Sequence, residues 1–226
     1  MNTSRLGTGL ADQVPHETFV LGHTRVQPAP LVPEVQLHLA DSVLPLWQAV
    51  ERRARAHVAP PFWAFAWPGS QLLGRWVLDH PELVRGKRVL DFAAGCGLAG
   101  LCCARAGAAH VSASDIDPLA ATAQQLNARL NHLEIDSVVD DLVGTSAEVD
   151  LVLAGDVCYD RLQSPRISTW LHDLARRSEV LLADPTRTYA PTEYVHLLEL
   201  RDVPTLQDLE STPFRQTRLL RVLPRP

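Results

Sequence analysis

Two rhythms of apolar and polar residues run along this chain. From residue 88 onward, short apolar bursts alternate with segments in which apolar residues recur every three or four positions. The bursts at 88–92, 110–114, 133–139, 149–154 and 179–183 read as strands, and 198–203 and 216–222 add two more. The segments 97–105, 118–131 and 165–177 read as helices. Asp117 caps the second of these, and Pro118 takes its first helical position. Such alternation predicts an α/β fold: a doubly wound, mainly parallel, seven-stranded sheet with helices on both faces.

The region before residue 88 is patterned differently. Residues 1–15 are polar and aperiodic and read as a flexible tail. Between 18 and 39 the apolar residues come in short extended bursts. Val35, Leu37 and Leu39 alternate with Gln36 and His38, and Pro28, Pro30 and Pro33 confine the segment to an edge. Residues 42–56 show helical spacing through Val43, Leu46, Trp47 and Val50, with Asp41 or Ser42 as cap. The aromatic block Phe62-Trp63-Ala64-Phe65-Ala66-Trp67-Pro68-Gly69 leads into a helix over 69–80. The expected organisation is a tail (1–15) and one domain (16–226), made of a strand/helix extension (16–68) and an α/β core (69–226).

Composition narrows the chemistry. The 226 residues carry 21 basic and 26 acidic side chains, a net charge of −5. This argues against a nucleic-acid or anionic-membrane partner. Lys87 is the only lysine and stands in Gly86-Lys87-Arg88, which excludes a Walker phosphate loop. A Schiff-base lysine for pyridoxal phosphate has no second candidate. The short-chain dehydrogenase pattern fails too, since Gln163, Glu193 and Leu198 stand four residues after the three tyrosines. Cys96, Cys102, Cys103 and Cys158 form no metal pattern, and the histidines are scattered, so no metal is expected. Free thiols, no apolar run of ~20 residues and no apolar leader core lead to the expectation of a cytoplasmic protein.

Asp91-Phe92-Ala93-Ala94-Gly95-Cys96-Gly97-Leu98-Ala99-Gly100 follows the first core strand. Small residues there let the backbone turn sharply and approach a ligand at the carboxyl end of the sheet. Gly95-x-Gly97-x-x-Gly100 also fits a dinucleotide fingerprint, which keeps an NAD-dependent oxidoreductase as an alternative. Asp91 weighs against it, because a carboxylate beside a pyrophosphate repels it and suits a cationic amino-acid end instead.

Asp-x-Ala-x-Gly-x-Gly resembles the first motif of class I S-adenosylmethionine-dependent methyltransferases, with Ala93 where a first glycine is usual. The resemblance implies a Rossmann-like methyltransferase fold and S-adenosylmethionine as cofactor. It places Asp91 near the methionine ammonium, Gly95 and Gly97 against the cofactor, Asp115 on the ribose hydroxyls, and Asp140 or Asp141 beside the adenine. Asp117 reads as a helix cap.

The run 149–159 is a buried strand ending in Asp156-Val157-Cys158-Tyr159. Asp-x-x-Tyr resembles the seven-strand protein lysine methyltransferases. Pro33-Glu34-Val35-Gln36-Leu37, the block 62–69, Asp115-Ile116-Asp117-Pro118 and Ala183-Asp184-Pro185-Thr186-Arg187 resemble the electron transfer flavoprotein β-subunit lysine methyltransferase family. The likeness runs over about 32–188. It implies a protein-lysine N-methyltransferase acting on that subunit, with a ribosomal protein or a small pyridine-type molecule as alternative acceptors. Asp156 is then an orienting group for the amine or a helix cap. Tyr159, with Trp63 or Trp67, faces a cationic group, an effect of about 0.5–2 kcal/mol. Trp67 is the expected cofactor-side wall. Asp184 and Arg187 shape a substrate-side loop or form a structural turn.

Overall fold

A computed structural model describes residues 10–205 and 212–226. The five consecutive apolar bursts form β3 (Arg88–Phe92), β4 (His110–Asp115), β5 (Asp136–Val139), β6 (Leu151–Gly155) and β7 (Glu179–Asp184). β8 (Val195–Pro204) and β9 (Phe214–Val222) complete a seven-stranded sheet in the order β5-β4-β3-β6-β7-β9-β8. β3 pairs in parallel with both β4 and β6, and β9 runs antiparallel between β7 and β8. The chain therefore leaves β3 in one direction and resumes at β6 on its other side. The strand ends diverge there, at the switch point where open α/β sheets bind ligands.

Alternation along the central strands serves two cores. Val89, Leu151, Leu153 and Leu181 face one core, and Leu90, Val152, Ala154 and Leu182 face the other. Both faces are apolar because helices cover both. These are α3 (Pro68–Asp79), α4 (Leu98–Arg105), α5 (Pro118–Leu130) and α6 (Gln163–Leu174). Asp117 caps α5 as expected, its Oδ1 accepting from Leu119 N at 2.8 Å.

The extension carries an antiparallel hairpin, β1 (Arg25–Ala29) with β2 (Val32–Leu39), followed by α2 (Val43–Ala54). β2 joins the main core through Val32, Val35, Leu37 and Leu39. Ser42 occupies the N-cap of α2 without a side-chain cap bond, and Asp41 pairs with Arg25 instead.

One segment differs from its sequence reading. Helix α1 (Leu10–His23) occupies ground read as tail and then as extended bursts. Tertiary packing and i,i+4 pairing decide it: Val20 is buried with Leu119 and Ala123 of α5, and Phe19 stacks on His23 at 4.3 Å. Residues 1–9 of the expected tail lie outside the described residues.

Candidate functional site

The glycine loop leaves β3 and enters α4 within five residues. Gly97 sits at the N-cap of α4 with φ 80°, a left-handed conformation that glycine adopts without strain. Ala93 has φ 52°, which explains why a glycine serves well there; an alanine stores strain on the order of 1 kcal/mol. Four side chains fasten the loop. Asp115 Oδ2 accepts from Gly95 N (2.9 Å) and Asp91 Oδ2 from Gly100 N (2.7 Å). From α5, Gln124 Nε2 donates to Gly95 O (3.2 Å) and Asn127 Nδ2 to Cys96 O (2.9 Å).

The acids divide into two kinds. Asp91 is buried under the loop, and burial pushes its carboxyl up to about 7. Asp115, at the end of β4, also accepts from Asp117 N through Oδ1 (3.0 Å), and burial raises its carboxyl. A carboxylate at a strand end can take a pair of vicinal hydroxyls. Ile116 beside it is 74% exposed, an apolar surface next to that acid.

Asp140 and Asp141 follow β5 and are separated by their partners. Asp141 accepts from Val143 N (3.1 Å) and Arg166 Nη2 (3.0 Å), which turns it toward α6. Asp140 stays beside Asp115 through its backbone, Asp140 N donating to Asp115 O at 3.2 Å.

On the other side of the switch point, Asp156 follows β6 with φ 59°. Its Oδ2 accepts from Gly69 N (2.7 Å) and Ser70 N (3.2 Å), so it caps α3 across 87 residues of sequence. No larger residue fits at Gly69, where a Cβ would lie 2.6 Å from both Ala183 O and Asp156 Oδ2. Oδ2 thus serves as a helix cap, while Oδ1 accepts no hydrogen bond among the described residues. Burial pushes this carboxyl up to about 7, with Asp184 adding to the rise and Arg187 opposing it.

The aromatic block splits. Trp63 and Phe65 are buried in the core beneath the extension. Trp67 stands at the N-cap of α3 and donates from Nε1 to Phe62 O (2.8 Å). Phe62 packs on Trp67 (centroids 5.6 Å) and on Tyr159 (5.5 Å), joining the extension to the loop after β6. The same turn covers the glycine loop, since a Cβ at Gly95 would lie 3.8 Å from Phe62 O. On its far side Tyr159 lines a cavity of about 300 Å³ with Cys158, Thr186, Arg187, Tyr189 and Arg215.

Sequence reasoning quoted Phe62 and Ile116 within motifs without giving them a role, and passed over Gln124 and Asn127. A signal existed for the last two: Gln124, Asn127 and the C-cap Asn131 recur along α5 and its end at spacings of three and four, a polar stripe on an otherwise apolar face.

A seven-stranded sheet of this order, with a glycine loop after its first strand and acids at the next strand ends, defines the class of S-adenosylmethionine-dependent methyltransferases. The fold is shared with magnesium protoporphyrin IX methyltransferase from Synechocystis (TM-score 0.51, 20% identity, 69% of this chain and 83% of that one). It is shared as well with a 16S rRNA methyltransferase of T. thermophilus (TM-score 0.53, 21% identity, 71% and 44%). A profile described as lysine methyltransferase matches residues 49–201, and the chain belongs to that family. It is 37% identical over 177 residues to the electron transfer flavoprotein beta subunit lysine methyltransferase of Xenopus laevis, covering 75% of this chain and 70% of the relative. The Homo sapiens protein of the same description is 37% identical over 161 residues (70% and 61%), and the Caenorhabditis elegans homolog 33% over 196 (78% and 80%). The protein is an S-adenosylmethionine-dependent protein-lysine N-methyltransferase.

The arrangement fits that cofactor: the loop backbone turns through left-handed conformations, and carboxylates stand at the ends of the strands on either side of it. Among the described residues no helix is long and apolar enough to cross a membrane.

Proposed function

We propose that this enzyme methylates lysine side chains of the electron transfer flavoprotein β subunit. The reading is carried by the 37% identity, over three-quarters of this chain, to a relative named for that acceptor. Four buried, unbridged cysteines support a reducing, cytoplasmic setting.

Bound S-adenosylmethionine supplies a methyl group activated on a sulfonium. The chain's own residues do the rest. The backbone of Ala93, Gly95 and Gly97 takes the cofactor's amino-acid end, and Asp91 acts on the ammonium from beneath the loop. Asp115 accepts the ribose hydroxyls. Of the two acids after β5, Asp140 is the one for the adenine, because Asp141 is already engaged by Arg166. Ile116 offers the purine an apolar face, and Trp67 with Phe62 walls the cleft.

Methyl transfer is an in-line displacement, so orientation of the amine contributes much of the catalysis. A lysine ammonium, with a pKa of ~10.4, must lose a proton first. Asp156 Oδ1 orients the amine. Its carboxyl, pushed up to about 7, gives up its proton only toward neutral pH, so the orienting carboxylate forms there. Tyr159 presents its ring to the cationic acceptor.

The test is incubation with labelled S-adenosylmethionine and purified flavoprotein, followed by peptide mapping. Label on lysines of the β subunit is expected. Label absent from that subunit but present on another protein or a pyridine in an extract would replace the acceptor and leave the chemistry intact.

A further inference from the structure

Asp156 stands where three elements meet. Oδ2 is committed to the amides of Gly69 and Ser70 at the start of α3. Oδ1 is buried without a hydrogen bond among the described residues, and its ion contact is Arg187 Nη2 at 3.8 Å. Arg187 is delivered to that spot by a tight turn after β7. Its backbone N donates to Asp184 Oδ1 (2.6 Å), and Thr186 before it has φ 57°. The ends of β6 and β7 are tied together in turn by Asp156 N donating to Ala183 O (3.0 Å). Arg187 also lines the 300 Å³ cavity beside Tyr159, so it lies between Asp156 and the side from which an acceptor would enter.

We propose that Arg187 is a positioning residue: from the wall of the acceptor cavity it holds Asp156 as a carboxylate through Oδ1, and thereby sets the pH range in which the site works. The inference rests on the reading of Asp156 as the amine-orienting group. The groups facing Asp156 set the sign. Burial and the Asp184 carboxylate favour its neutral form, while Arg187 and the two α3 amides favour the charged one. Cys158 on the same loop is held as a neutral thiol, its value pushed up to about 12 by burial. Arg218 of β9 pairs in register with Asp184 and acts on Cys158, but it is not among the groups that shift Asp156. Arg187 therefore supplies the counter-charge on the Oδ1 side. A guanidinium suits the task because it stays ionised when partly buried.

The experiment follows the carboxyl carbon of Asp156 by carbon-13 NMR in the acceptor-free enzyme, beside the pH profile of kcat/KM with the flavoprotein. Arg187→Met is expected to raise the Asp156 midpoint by about one pH unit and to move the acid limb of the profile by the same amount. Arg187→Lys is expected to restore both, with the affinity for S-adenosylhomocysteine unchanged in either variant. An unmoved midpoint in Arg187→Met, or activity reduced by the same factor at every pH, would overturn the proposal. If Arg187→Met does not fold, Arg187→Gln is read in the same way. Should the wild-type enzyme label no lysine of the flavoprotein, the acceptor assignment fails, while the titration still decides the link between Arg187 and Asp156.

Discussion

Asp91, the acid proposed for the cofactor's ammonium, weighs on the stability of the fold. It is buried beneath the glycine loop and bonded to Gly100 N, and its carboxyl is pushed from the ordinary 3.8 to about 7. Between those two values the native carboxyl keeps a proton that the unfolded one releases. Its contribution therefore makes the enzyme less stable as pH rises through that window. Asp91→Asn keeps an acceptor for Gly100 N and removes the buried charge. In the cofactor-free enzyme its melting temperature relative to wild type should rise between pH 5 and pH 8, by a few °C for each kcal/mol recovered. A constant difference across that range would contradict the assignment. Strand-end position identified Asp91, Asp115 and Asp156 in the sequence, because acids that close apolar strands stand out. The double duty of Asp156 did not show, since its partner Gly69 lies 87 residues away.

At the scale of elements, α5 is the fastener between the extension and the core. Asn127 Oδ1 accepts from His38 N (2.7 Å) while its Nδ2 donates to Cys96 O. Asn131 Oδ1 accepts from Gln36 N (2.9 Å), and its Nδ2 donates to Gln36 O (2.6 Å). These amides act as a substitute strand for the free edge of β2, and Asn127 also holds the glycine loop. Asn127→Ala would leave two backbone groups without their partner, a loss of about 2–4 kcal/mol. Chemical denaturation should report that loss. Calorimetry should report weaker S-adenosylhomocysteine binding, because the loop loses one of its fasteners. The polar stripe on α5 is visible in the sequence, but only the approach of β2 gives it partners. The strand–loop–helix unit around Gly97 was legible because its parts are contiguous. Helix α1 was not, because packing on α5 and the pairing of Phe19 with His23 outweigh a weak local pattern.

Across the whole molecule, the extension and the α/β core share apolar clusters. Val35 and Leu37 pack with Leu101 and Val89, and Trp63 packs with Leu119. Calorimetric unfolding should therefore give one transition; two separable transitions would mean that the extension folds independently. The lone lysine gives a second test at this scale. Lys87 precedes β3, 3.8 Å from Glu179, at the amino end of the sheet, and a five-residue strand puts roughly 17 Å between it and the glycine loop. Enzyme incubated alone with labelled S-adenosylmethionine should remain unlabelled at Lys87, and label there would require transfer between molecules.

The sequence by itself determined the sheet, the loop after its first strand and the acids at the strand ends, because period-two apolar runs, small residues and strand-closing carboxylates are local signals. Only the tertiary structure decided which of those groups stay available. It engaged Asp141 with Arg166, buried Trp63, brought Phe62 against Tyr159, and set Arg187 opposite the one oxygen of Asp156 that α3 does not use. Each of these depends on segments far apart in the chain, and no periodicity records which side chain will meet a given donor.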